Sequence, residues 1–153
     1  MNSIYDKFKL LLLSNNLLKD NDKILLGVSG GSDSIALLDL FLTLKAEIKI
    51  FIDVAHVNYN LRGTDSDLDE ELIRSICKKA QVDCFVLNVG KELLEKSYGR
   101  GLEEKARNIR YKYFNELKRN YHYSKISVAH TKDDLVETLL FNLIRGTSPE
   151  KFA

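Results

Sequence analysis

No apolar run in the 153 residues reaches the roughly 18 needed to cross a bilayer, so a membrane partner is not expected. The one early leucine run, Leu10 to Leu13, is cut short by Asn15 and Asn16 and is followed by no small-residue cleavage site, which argues against a signal peptide. Cysteine is scarce. Cys77 and Cys84 stand seven apart and form no C-x-x-C, so neither a zinc site nor a dithiol redox pair is suggested. Both read as core thiols of a protein in a reducing, cytoplasmic compartment. Neither sign of charge dominates: 23 Lys and Arg against 22 Asp and Glu leave a net charge of +1, which carries no general polyanion signature. Residues 91–120 are locally basic, with nine Lys and Arg against five acids. That third suits a nucleic acid, or equally an ordinary solvated helix face.

What is present is an ordinary globular composition, 44% hydrophobic and 29% charged, in a chain long enough for one domain. Its organising stretch is Ile24-Leu25-Leu26-Gly27-Val28-Ser29-Gly30-Gly31-Ser32-Asp33-Ser34, an apolar run that breaks into a small, polar turn. Another apolar stretch, Ile35 to Leu44, follows at once. A buried strand, a glycine turn and a helix start together build an anion cradle, because the first helical N–H groups lack partners and the helix dipole adds positive charge there. The loop lacks the lysine of a Walker A sequence and the G-x-G-x-x-G of a dinucleotide fold. It carries Asp33 instead. A carboxylate in an anion site makes sense when Mg²⁺ lies between it and a phosphate. The plainer alternative is a strand-turn-helix junction capped by Ser32 or Asp33.

Periodicity predicts a helix over residues 4–18, then strands over 23–28, 48–57, 84–89 and 125–129, each followed by a helical segment. The helices are expected over 33–45, from Thr64 to about 80, briefly at 91–94, over 102–120, and after His130. In the helix after Thr64 the apolar stripe is Leu68, Leu72, Ile73, Ile76, Cys77 and Ala80, with its acids expected to face solvent. Strict alternation of strand and helix predicts an α/β fold, a doubly wound, mostly parallel sheet with helices on both faces. The glycine loop, the segment 56–63 and the segment 130–137 then converge on one sheet edge, where such folds bind ligands. Arg107 and Arg110, three apart on a helix and so surface neighbours, can clamp a phosphate or carboxylate, or Arg107 simply pairs with Glu103. Asp134 and Glu137 share a helix face suited to a cation or an amine, or serve only as first-turn acids. His56 alone reads as a satisfied interior histidine, and His130 alone as a residue that merely ends a strand.

Ser29-Gly30-Gly31-Ser32-Asp33-Ser34 resembles the signature of the PP-loop ATP pyrophosphatases, which adenylate a substrate carbonyl and release pyrophosphate. A narrower resemblance follows from four further stretches. His56-Val57-Asn58-Tyr59-Asn60-Leu61-Arg62 is similar to the H-V-N-H-x-L-R segment of tRNA(Ile)-lysidine synthetase. Glu104-Lys105-Ala106-Arg107-Asn108-Ile109-Arg110-Tyr111 resembles its E-x-A-R-x-x-R-Y helix, Ala129 to Thr138 its A-H-x-x-D-D-x-x-E-T, and Arg145-Gly146-Thr147 its R-G-T.

That resemblance implies ATP-dependent joining of lysine to carbon 2 of the wobble cytidine of tRNA(Ile) with a CAU anticodon, through an adenylated cytidine, with release of AMP and pyrophosphate. It implies that Ser29, Gly30, Gly31, Ser32, Asp33 and Ser34 hold the ATP phosphates, that Asp33 places Mg²⁺, and that His56 lies near the adenosine. Arg107 and Arg110 would meet anionic groups of ATP, tRNA or lysine, and His130, Asp134 and Glu137 would orient lysine and the activated cytidine. Spacing from Glu137 allows Asp133 or Asp134 to face the site, and the family pattern favours Asp134. Two departures stand out. Tyr59 replaces a frequent second histidine, and the chain stops just past R-G-T. Residues 1–153 are therefore expected to be a single, truncated PP-loop ATP-binding catalytic domain without the family's C-terminal tRNA-binding region, able to bind ATP yet not to modify tRNA alone. A homodimer is left open. The alternatives are a PP-loop tRNA 2-thiolation enzyme, which would normally carry a C-x-x-C, and a non-catalytic ATP-binding module.

Overall fold

The computed structural model describes residues 3–60 and 64–129. They form α1 (Ile4–Ser14), β1 (Lys23–Gly27), α2 (Ser32–Glu47), β2 (Phe51–Asn58), α3 (Thr64–Ala80), β3 (Cys84–Asn88), α4 (Lys91–Lys96), α5 (Leu102–Tyr121) and β4 (Lys125–Val128). The strands make one sheet in the order β3-β2-β1-β4, and every pairing in it is parallel. The chain walks outward from β1 through β2 to β3, then crosses back to lay β4 on the other side of β1. The doubly wound expectation is met.

That reversal sorts the core into two layers. Ile24, Leu26 and Val28 of the first strand and its exit, with Ile52 and Val54 of β2, pack against Leu38, Phe41 and Leu44 of α2 and Ile73 and Cys77 of α3. Leu25, Ala55 and Val57 point the opposite way, onto Ala106, Ile109, Phe114 and Leu117 of α5. β1 is buried on both faces, as a central parallel strand must be. Its foot is tied to β4 through Asp22, which accepts from the Lys125 ammonium (2.5 Å), the Ser124 hydroxyl (3.0 Å) and the Lys19 N–H (2.9 Å).

The structure moves several predicted boundaries. The first helix ends at Ser14, not 18, because the Ser14 hydroxyl and Asn15 amide bond back to the carbonyls of Leu10 and Leu11 and Asn16 turns left-handed at φ 52°. Tyr5, Phe8 and Leu12 carry its buried face, while Ile4 and Leu11 are exposed. β2 begins at Phe51 rather than 48, since Ile48 caps α2 by donating its N–H to Leu44 O. On α3 the stripe is narrower than expected: Ile73 and Cys77 are buried, Leu68 and Leu72 exposed. Leu102, the first residue of α5, is also exposed.

Candidate functional site

The glycine loop is held from within by one side chain. Ser34 is buried in the first turn of α2, and its Oγ accepts the N–H groups of Ser29 and Gly30, both at 3.2 Å. The same hydroxyl lies 2.8 Å from Gly31 O and 3.1 Å from Ser29 Oγ. Gly31 is the N-cap and offers no side-chain cap, which corrects the alternative of Ser32 or Asp33 as cap. The first helical bond is Ile35 N–H to Gly31 O at 3.1 Å. The amides of Ser32, Asp33 and Ser34 therefore precede the intrahelical ladder and open the turn to an anion. Gly30 stands at φ +100°, a conformation that favours glycine, and a Cβ there would lie 2.7 Å from Asp69 Cγ.

Beside the loop lies a cleft of about 150 Å³, lined by Gly27, Val28 and Ser29 from the first strand and loop, Ser34 from the start of α2, Val57 from β2 and Tyr59 just after it, Arg110 and Phe114 from α5, and Val128 and Ala129 from the end of β4. It opens between the carboxyl ends of β1 and β4, where the strand order reverses, the position at which open α/β sheets bind ligands. Its floor is apolar. Ser29 and Ser34 of the loop region and Arg110 of α5 are among the residues that line it.

This site belongs to a recognisable class. A family model described as a PP-loop domain matches residues 2–153. The chain belongs to that family.

Curated relatives named tRNA(Ile)-lysidine synthase are similar to it along most of its length. The Chlorobaculum tepidum protein is 39% identical over 146 residues, covering 95% of this chain and 44% of the relative. The Caldanaerobacter subterraneus protein is 38% identical over 132 residues, covering 86% and 28%. The Geobacillus kaustophilus protein is 34% identical over 148 residues, covering 97% and 32%. The chain thus spans less than half the length of these relatives. Among solved structures, a U34-tRNA thiolase from Methanococcus maripaludis with its [4Fe-4S] cluster superposes with a TM-score of 0.76. At 19% identity over 96% of this chain and 51% of that one, it shows a shared fold.

Within this PP-loop domain the sequence-predicted residues fall in distinct places. Ser29 and Ser34 line the cleft; Asp33 is the exposed second residue of α2. His56 is buried on the opposite face of β2 from Tyr59 and is not among the cleft residues. Its Nδ1 lies 2.8 Å from Val28 O, so Nδ1 carries the proton, and Nε2 has no partner among the described residues. Arg110 reaches the cleft, whereas Arg107 is exposed with its guanidinium 5.7 Å over the Tyr111 ring. His130, Asp134 and Glu137 lie outside the described residues, as do Leu61, Arg62, Gly63 and the R-G-T stretch.

The acids of α3 do not all face solvent. Asp69 presses on Gly30, and Glu70 accepts from Asn58 Nδ2 at 3.0 Å and Arg74 Nε at 2.9 Å. The Asn58 amide, ahead of the Arg74 guanidinium, holds the Glu70 carboxyl below the usual carboxylate range. Sequence spacing missed Asp69 and Gly27.

No group of three or more metal-binding side chains occurs among the described residues. Mg²⁺ needs less, one or two carboxylates with substrate phosphates completing its shell. Asp33 on α2 and Asp69 against Gly30 bring carboxylates to the loop, which fits a cation held largely by a nucleotide.

Proposed function

We propose that this chain is the ATP-handling part of a cytoplasmic tRNA(Ile)-lysidine synthetase. The observation that carries the reading is the glycine loop, whose inner amides are taken by Ser34 while those of Ser32, Asp33 and Ser34 precede the first helical bond. Such a loop suits ATP attacked at its α-phosphorus, where a pyrophosphate must be gripped and released, and a γ-phosphate lysine has no task. Similarity to relatives of that name at 34–39% identity supports the choice of substrates.

In this reading the carbonyl oxygen on carbon 2 of the wobble cytidine attacks the α-phosphorus, and pyrophosphate leaves. The lysine side-chain amine then attacks carbon 2, and AMP leaves. Ser29 to Ser34 hold the phosphates, with Asp33 placing Mg²⁺, which neutralises phosphate charge when bound. Arg110 meets an anion in the cleft. Asp134 and Glu137, with His130, orient lysine and take the proton its ammonium must lose. Alignment of three substrates supplies much of the acceleration.

The thiolation alternative has less support. This stretch has only Cys77 and Cys84, and both pack in the layer of α2 and α3, behind the sheet from the cleft. The deciding experiment measures pyrophosphate release by the intact protein. Release that requires both lysine and tRNA(Ile) is expected; release without lysine refutes the ligase, and ATP binding without any release favours a non-catalytic module.

A further inference from the structure

Tyr59 occupies the cleft wall with its hydroxyl doubly engaged. It donates to Ala106 O on α5 at 2.7 Å, so its single proton is committed. Its oxygen can then only accept, and the group facing it is Arg110 Nε, at 3.5 Å. Ala106 and Arg110 are one turn apart on α5. Tyr59 thus fastens the end of β2 to that turn and holds the guanidinium by its Nε edge. The Nη edge, which carries four of the five donors, is not the edge Tyr59 holds. Arg107, one position short of a full turn from Arg110, lies over the Tyr111 ring on the exposed side.

The cleft that Arg110 shares with Ser29 and Ser34 is about 150 Å³. That is below the roughly 300–1,000 Å³ of sites that enclose a whole small ligand. It takes one group of a ligand, and a cation in the same cleft as an anion cradle selects a phosphate. We propose that Tyr59 is a positioning residue that aims Arg110 at a phosphate of the bound nucleotide. The inference rests on reading the glycine loop as a phosphate cradle. It gives Tyr59, the departure from the frequent second histidine, a role through its oxygen rather than through a ring nitrogen.

The test is a double-mutant cycle on ATP affinity in the intact protein, with Tyr59→Phe, Arg110→Ala and both together. Tyr59→Phe should weaken ATP binding by about threefold to tenfold, the worth of one hydrogen bond. The same substitution in the Arg110→Ala background should do nothing further. In the wild type the Arg110 Nε–Hε resonance should shift on ATP addition, and in Tyr59→Phe it should lose that response. If Tyr59→Phe does not fold, Tyr59→His enters the same cycle. No loss from Tyr59→Phe while Arg110 is present, or an equal loss with Arg110 present and with it replaced by alanine, overturns the proposal. Lysine dependence of pyrophosphate release is measured separately, so the ligase reading can fail while the cycle still decides for or against the Tyr59–Arg110 pairing. A wild-type protein that binds no ATP overturns both.

Discussion

Gly27→Ala should destabilise the domain, although adding a methyl to a strand glycine ordinarily helps. Gly27 is not among the residues with positive φ, so alanine meets no backbone penalty there. Restricting the unfolded chain would by itself add about 0.4–1 kcal/mol of stability. Against this, the new Cβ would lie 2.5 Å from Phe114 Cε2 and 2.8 Å from Val128 Cγ1. Neither neighbour withdraws easily. Phe114 is 2% exposed and packs against the rings of Tyr111 and Tyr113, and Val128 sits on the strand paired with β1. Overpacking a filled core costs about 1–3 kcal/mol. The balance is a net loss of about 1–2 kcal/mol, which lowers Tm by about 2–8 °C for a domain near 150 residues. Thermal unfolding followed by circular dichroism measures it. Because Gly27, Phe114 and Val128 all line the cleft, ATP affinity should fall as well. Shortening the ring in a Gly27→Ala/Phe114→Leu double variant should recover part of the loss, with a coupling of about 0.5–3 kcal/mol between the two sites. A variant as stable as wild type, or strictly additive effects, would refute the close-approach argument.

Gly30→Ala should reduce ATP-dependent pyrophosphate release and lower Tm, since φ +100° strains any side chain and the new methyl meets Asp69; unaltered release and melting would remove both reasons. Asp33→Ala should abolish turnover with no change in the melting curve, and unchanged turnover would end its assignment to Mg²⁺. Asp22 predicts an acid sensitivity. Its burial disfavours the ionised form, but Lys125, the Lys19 N–H and Ser124 outweigh that and hold the carboxyl below its ordinary value. A depressed carboxyl stabilises the fold fully above the unfolded value of about 3.9 and stops doing so as pH falls through the lower folded value. The Tm gap between wild type and Asp22→Asn should therefore be widest above about pH 5 and shrink towards pH 3; a constant gap would show that Asp22 acts without its charge.

The order of elements was legible because each strand is an apolar run and each helix has its own period. Boundaries failed where a side chain or cap intervened, as with Asn16 at the end of α1 and Ile48, apolar enough for a strand yet spent on capping α2. The glycine loop was legible as a cradle, but its support was not. A serine at position 34 could equally have touched a phosphate, and only packing shows its hydroxyl gathering the loop's own amides. The acids of α3 were misassigned because contact with Gly30 spans 39 positions, which no local pattern records. Arg107 and Arg110 look equivalent at a spacing of three, and the fold separates them by turning one to the cleft and leaving the other outside.

The stretch His56-Val57-Asn58-Tyr59 divides the work of the site by strand alternation alone. His56 and Asn58 point to the layer of α2 and α3. There the histidine fastens Val28 O, the carbonyl at the entry to the glycine loop, and the asparagine fastens Glu70. Val57 and Tyr59 point the other way, into the wall of the cleft. Residues adjacent in sequence thus bear on the site by different routes, one set by shaping the loop from behind and the other by lining the cleft. Substitution on the first face should lower stability and affinity together, since the loop cannot keep its form without Val28 in place. Substitution of the Tyr59 hydroxyl should lower affinity, with a stability loss no larger than its one hydrogen bond to Ala106 O, about 0.5–1.5 kcal/mol. A one-residue register slip in β2 would exchange the two faces and lose both functions at once. That slip is opposed by burial on both sides of the strand, with His56 and Val57 alike held inside.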